Sequence, residues 1–91
     1  MRKRLFIHNN ADNVAVALAD LKAEDTIEVE INGRSHKIRL KENIPYGHKV
    51  ALLDIKKGSK VIKYGEVIGM ATKDIPIGSH VHTHNIKSLR Y

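Results

Sequence analysis

The chain has 91 residues, with 16 Lys and Arg against 10 Asp and Glu, a formal charge of +6, and no cysteine. That length supports one domain with a modest core. Such a chain buries only about 60–65% of its unfolded surface, which argues against a deep enclosed active site. The missing thiols exclude disulfides and any cysteine-held metal or cluster, while the cationic excess draws in anions, from small carboxylates to nucleic acid.

The start, Met1-Arg2-Lys3-Arg4, is basic, but only Leu5, Phe6 and Ile7 follow before His8, so a secretory hydrophobic region is not expected. The longest apolar run, residues 14–19, falls far short of the roughly 20 residues that span a bilayer. These features predict a soluble, cytoplasmic protein with no membrane contact. Residues 3–8 read as an opening strand, with His8 at its end and no partner signalled for that histidine. In the next segment Val14, Leu18 and Leu21 stand at i, i+4 and i+7, which predicts one short helix with Asn10 or Asp12 as its cap. Glu24 and Asp25 suit the negative end of a helix dipole badly, so the helix is expected to stop before them.

Residues 26–40 read as a β-hairpin. Ile27, Val29 and Ile31 alternate with charged residues, and His36, Ile38 and Leu40 alternate after Asn32-Gly33. Both turn residues tolerate the positive φ of a type I′ turn, the strongest short hairpin signal. His36 is expected at the rim of the packed face. The second half repeats a pattern, I-x-x-G-x-x-V, starting at Ile44, Ile55 and Ile75. Each copy is an apolar anchor, a glycine turn and entry into a strand. Two more short apolar strands flank Tyr64-Gly65. One helix among many short strands predicts a compact, mostly β domain occupying residues 1–91. Nucleic acid is not the expected partner, because the aromatics are only Phe6, Tyr46, Tyr64 and Tyr91 and the basic residues are scattered.

The segments "ADNVAVAL" and "IPYGHKVALLDIKKGSKVIKYGEVIGMATKDIPIGSHVHTHN" resemble the SAF domain of the altronate and galactarate dehydratase family. The most specific pieces are Gly47-His48-Lys49, residues 61–66 and residues 80–85. The resemblance implies a β-clip fold and a role as the small subunit or N-terminal SAF domain of a sugar-acid dehydratase. The chain would line the active site for elimination of water from a hydroxy-carboxylate. A small subunit of a sulfolactate sulfo-lyase is a related implication, and an autonomous binding module for carbohydrate or polyanion is a rival of another class. The implied cofactor is a divalent transition metal (iron, manganese or zinc). The implied partners are a large catalytic lyase subunit or domain and an anionic sugar acid, and a homo-oligomer is compatible with both. Activity is not expected of the chain alone.

Residues 80–85, His-Val-His-Thr-His-Asn, carry half of the six histidines. Residues two apart in a strand share a face and stand roughly 6.5 Å apart, so His80 with His82, or His82 with His84, can converge on one ion. His80 and His84 would lie about 13 Å apart in a straight strand, too far to share a metal. His48, after its glycine turn, is the best third ligand, which makes His48, His80 and His82 the candidate metal set. In a competing reading, imidazoles and lysines bind the substrate, with His48, Lys49, Lys63, His84 and Asn85 as candidates. A solvated histidine strip is the plain alternative. Tyr64 reads as a turn residue with its hydroxyl at the rim, or as a proton shuttle. No residue is assigned a catalytic step.

Overall fold

A computed structural model describes residues 4–89. Its elements, all strands among the described residues, are β1 (Leu5–Phe6), β2 (Val14–Ala17), β3 (Thr26–Ile31), β4 (Arg34–Arg39), β5 (Lys49–Ala51), β6 (Lys60–Lys63), β7 (Glu66–Ala71), β8 (His80–Val81) and β9 (Ile86–Ser88). They form a four-stranded antiparallel sheet in the order β1-β2-β5-β8, the hairpin β3-β4, and a three-stranded sheet β6-β7-β9. The mostly β expectation is met. None of the described residues forms a helix long and apolar enough to cross a membrane.

The helix expected over residues 14–21 is absent, and Val14–Ala17 is strand β2. Val14, Ala15 and Ala17 are all buried. A strand buried on both faces reads as a continuous apolar run, and periodicity cannot separate a short run of that kind from a buried helix. Leu18, which the helical reading sets beside Val14, is 40% exposed. Asp12 caps no helix. Its buried carboxylate accepts from the backbone N–H groups of Asn9 at 3.1 Å, Tyr64 at 3.1 Å and Gly65 at 2.8 Å.

The four-stranded sheet separates two apolar cores because neighbouring strand residues face opposite ways. Val14 and Ala51 face one core with Ile55, Val61, Ala71, Ile75 and Val81. Ala15 and Val50 face the other, with Leu21, Ile27, Ile38, Leu40 and Ile44. The β3-β4 hairpin covers the latter core, and its Asn32-Gly33 turn takes φ of 53° and 79°, as a type I′ turn requires. His36 pairs opposite Val29 and is exposed at the rim.

The repeat has a structural basis, and a fourth copy that its sequence hides. Each copy closes a turn: His48 N–H donates to Pro45 O, Ser59 to Lys56 O, Ser79 to Pro76 O and, in the hidden copy, Asp25 to Lys22 O. The third residue of each turn has positive φ, as in type II turns: Gly47, Gly58, Gly78 and Glu24. The turns work in pairs. Leu21 bridges Ile44 and Ile55 bridges Ile75. Asp20 accepts from Tyr46 N–H while Asn43 accepts from Ala23 N–H. Asp54 and Asp74 do the same for Ile77 and Lys57. An acceptor side chain before each anchor thus satisfies the turn of its partner copy. Gly78 is the tightest of the four positions, since a Cβ there would collide with the Arg39 carbonyl.

Candidate active-site edge

Strands β5 and β8 pair antiparallel with Lys49 opposite Val81 and Val50 opposite His80. Extending that register one residue sets His48 opposite His82. The imidazoles of His48, His80 and His82 therefore gather at one end of the central sheet. Ring centroids lie 5.0 Å apart for His48–His80, 4.6 Å for His48–His82 and 5.4 Å for His80–His82, with the planes within 26° of parallel. His48 Nδ1 and His80 Nε2 are 2.8 Å apart, a hydrogen bond in which one ring must be the donor. One nitrogen from each of the three rings lies within 4.8 Å of the others.

The chain does not run straight past His82, so the 13 Å separation expected for His80 and His84 does not arise. Strand β8 ends at Val81, and residues 82–85 turn back, with Asn85 and Ile86 N–H both donating to His82 O. The turn brings the His84 ring to 5.3 Å from that of His80. Asn85 is buried and braces this turn. Its Oδ1 accepts from His82 N–H at 2.9 Å and its Nδ2 donates to His80 O at 2.8 Å. The Asn85 side chain thus fixes the backbone carrying two of the three imidazoles. Glu42, from the loop between β4 and β5, accepts from His80 N–H at 3.0 Å.

Lys49 opens β5 directly after His48 and is near enough to His82 to lower its pKa. Lys49 is half-buried, and burial, followed by repulsion from Lys63, lowers its pKa. The Lys63 ammonium sits 5.0 Å from the Tyr64 ring centroid. Tyr64 and Gly65, with φ of 59° and 72°, form the tip of the β6-β7 hairpin that Asp12 clamps. His8, for which the sequence signalled no partner, packs between Phe6 and Tyr64 at ring distances of 4.6 and 4.0 Å.

Burial is the first cause of lowered pKa at both His80 and His82, with His48 next. His84 adds to it in both cases, as do His82 for His80 and Lys49 for His82, while Glu42 opposes it at His80. Desolvation and neighbouring cations both disfavour the imidazolium. Both effects favour the neutral ring, the state in which imidazole ligates a metal or accepts a hydrogen bond. Three convergent nitrogens without carboxylates in the group suit a borderline transition ion better than magnesium or calcium.

Sequence reasoning passed over Glu42 and gave Asp12 the wrong role, as a helix cap. Both act through contacts with residues far along the chain, which no local pattern announces. The fourth turn had a usable signal in the Asp or Asn that precedes all four anchors.

The fold and this edge define a small β-domain that gathers three imidazoles at the end of its central sheet, with the Lys49 ammonium near them. The chain belongs to the altronate/galactarate dehydratase SAF domain family, which it matches over residues 3–89. It is 53% identical over 77 residues to altronate dehydratase of Escherichia coli (strain K12), covering 85% of this chain and 15% of that protein. Altronate dehydratase of Bacillus subtilis (strain 168) is 39% identical over 88 residues, covering 97% of this chain and 17% of the relative. The alpha subunit of (2R)-sulfolactate sulfo-lyase from Paracoccus pantotrophus is 51% identical over 55 residues, 60% of this chain and 82% of that subunit. The chain thus spans 15% to 17% of the length of the altronate dehydratases it matches.

Proposed function

We propose that this SAF domain forms one wall of the active site of a sugar-acid dehydratase, as a small subunit or terminal domain that works with a larger catalytic lyase chain. The observation that carries the proposal is the meeting of His48, His80 and His82, with Lys49 near enough to His82 to act on it. Its relatives' names supply the reaction class, loss of water from a hydroxy-carboxylate.

In this reading His48, His80 and His82 hold a divalent transition ion (iron, manganese or zinc). Such an ion, when bound, acts as a Lewis acid toward a substrate oxygen. Lys49 and Lys63 attract the substrate carboxylate, and burial of Lys49 strengthens its pull by removing competing water. His84, exposed on the turn after His82, reaches toward the substrate hydroxyls. Asn85 serves the site by fixing the backbone of His80 and His82 rather than by touching substrate. Tyr64 and Asp12 hold the Lys63 hairpin in position. The proton abstractor and the rest of a dry pocket come from the larger partner, since elimination needs a base, an acid and enolate stabilisation held together.

The identity and coverage of the sulfo-lyase alpha subunit support a second reading, in which the leaving group is sulfite. One assay separates the two. The domain is combined with its cognate large chain, and water loss from altronate and galactarate is followed alongside sulfite release from sulfolactate. Activity should appear only in the combination and fall with His82→Ala or Lys63→Ala. Full turnover by the large chain alone would reduce this domain to a stabilising appendage.

A further inference from the structure

Beside the three-histidine group lies a second set of donors. Glu42, His80 and His84 each present one ligand atom within 4.8 Å of the other two. Three elements contribute: the loop before β5, the start of β8, and the turn at residues 82–85. Glu42 Oε2 already accepts from His80 N–H at 3.0 Å, which holds the carboxylate against the base of that histidine. The His80 and His84 rings are 5.3 Å apart and tilted by 34°, not stacked flat. An open depression lined by Glu42, Ser79, His84 and Asn85 adjoins the group, so an ion can enter from solvent.

We propose that Glu42, His80 and His84 form a second divalent-cation site, next to the His48–His80–His82 group and sharing His80 with it. Two imidazole nitrogens and one carboxylate oxygen are donors that zinc and cobalt(II) accept, and three protein ligands leave a coordination position for water or a substrate oxygen. An imidazole carries nitrogens on two edges of its ring. His80 Nε2 faces His48 Nδ1 at 2.8 Å, so filling both sites together calls on His80 Nδ1 for the second ion and releases the ring's remaining N–H proton to solvent, leaving a bridging imidazolate. Occupancy of the second site fastens the turn at residues 82–85 to the loop before β5. It thereby stiffens the segment on which His82 is carried. The carboxylate offsets part of the repulsion that two neighbouring dications exert on each other.

The site shares His80 with the three-histidine group but takes Glu42 and His84 from outside it, and the experiment separates the two. The untagged domain is titrated with zinc by calorimetry and with cobalt(II) by its visible absorption, in four forms. The native chain should bind two equivalents. Glu42→Gln combined with His84→Ala should bind one, and Gln keeps an acceptor for His80 N–H so that the loop stays in place. His48→Ala combined with His82→Ala should also bind one, with the cobalt spectrum of a mixed nitrogen and oxygen site. His80→Ala should weaken both. Circular dichroism and melting of each variant establish that it is folded before stoichiometry is read. Whatever the native stoichiometry, its full retention by the Glu42→Gln, His84→Ala double variant overturns the proposal. Loss of nothing in the His48→Ala, His82→Ala variant would instead remove the three-histidine site and leave this one standing.

Discussion

Replacing Asp12 with Ala tests how the lysine-bearing hairpin is held. The carboxylate is 6% exposed and takes three backbone N–H groups, two of them from the type I′ turn at Tyr64-Gly65. Hydrogen bonds to a charged acceptor contribute about 1.5–3 kcal/mol each. Tyr64 and Gly65 are exposed, so water recovers part of the loss, and a net destabilisation of about 2–4 kcal/mol follows. For a domain of this size that corresponds to a fall in Tm of roughly 10–30 °C. Asp12→Asn should lie between, because its amide N–H₂ must face at least one of the three donors. Thermal denaturation gives the magnitude. Amide exchange at Tyr64 and Gly65 gives the location, and should quicken more than exchange in the β3-β4 hairpin. A Tm for Asp12→Ala within about 3 °C of native, less than 1 kcal/mol, would refute the clamp.

Gly78→Ala combines positive φ with a collision against the Arg39 carbonyl and should prevent accumulation of soluble protein. Gly58→Ala, with similar φ and open space around it, should lower stability by only about 1–2 kcal/mol; equal effects in urea titrations would remove the steric argument. Asn85→Ala should weaken transition-metal binding by roughly 10–100-fold, as lost outer-sphere support commonly does, and unchanged calorimetric affinity would count against the brace. Because the pKa values of His80 and His82 are lowered, protons compete with metal at these rings only below the ordinary imidazole value of about 6.5. Affinity should therefore hold level from pH 8 to about 6.5 and drop below that; a fall that begins above pH 7 would contradict the neutral-ring state.

The legible parts of the fold were those where backbone geometry restricts residue choice. Asn32-Gly33 and the three glycine turns announced themselves because few side chains accept positive φ. The fourth turn stayed hidden because Glu24 occupies the position where the others have glycine, at φ 75°. Residues 14–17 misled because burial on both faces erases the alternation that identifies a strand. At the site, His48 and His82 were legible as neighbours only through the repeat and the family resemblance. Lys49 and Lys63 were legible as charge, and the structure adds that they repel each other. The approach of His84 to His80 could not be read, since strand β8 lasts only two residues before the chain turns. Asn85 drew notice as part of a motif, yet its side chain turns inward to the backbone.

The most direct test of the three-histidine site is anomalous X-ray scattering at the zinc edge from crystals of the untagged domain grown with zinc. The account predicts a peak about 2.1 Å from one imidazole nitrogen each of His48, His80 and His82. A structure in which zinc binds elsewhere while these three rings stay metal-free, held by the His48–His80 hydrogen bond, would contradict it.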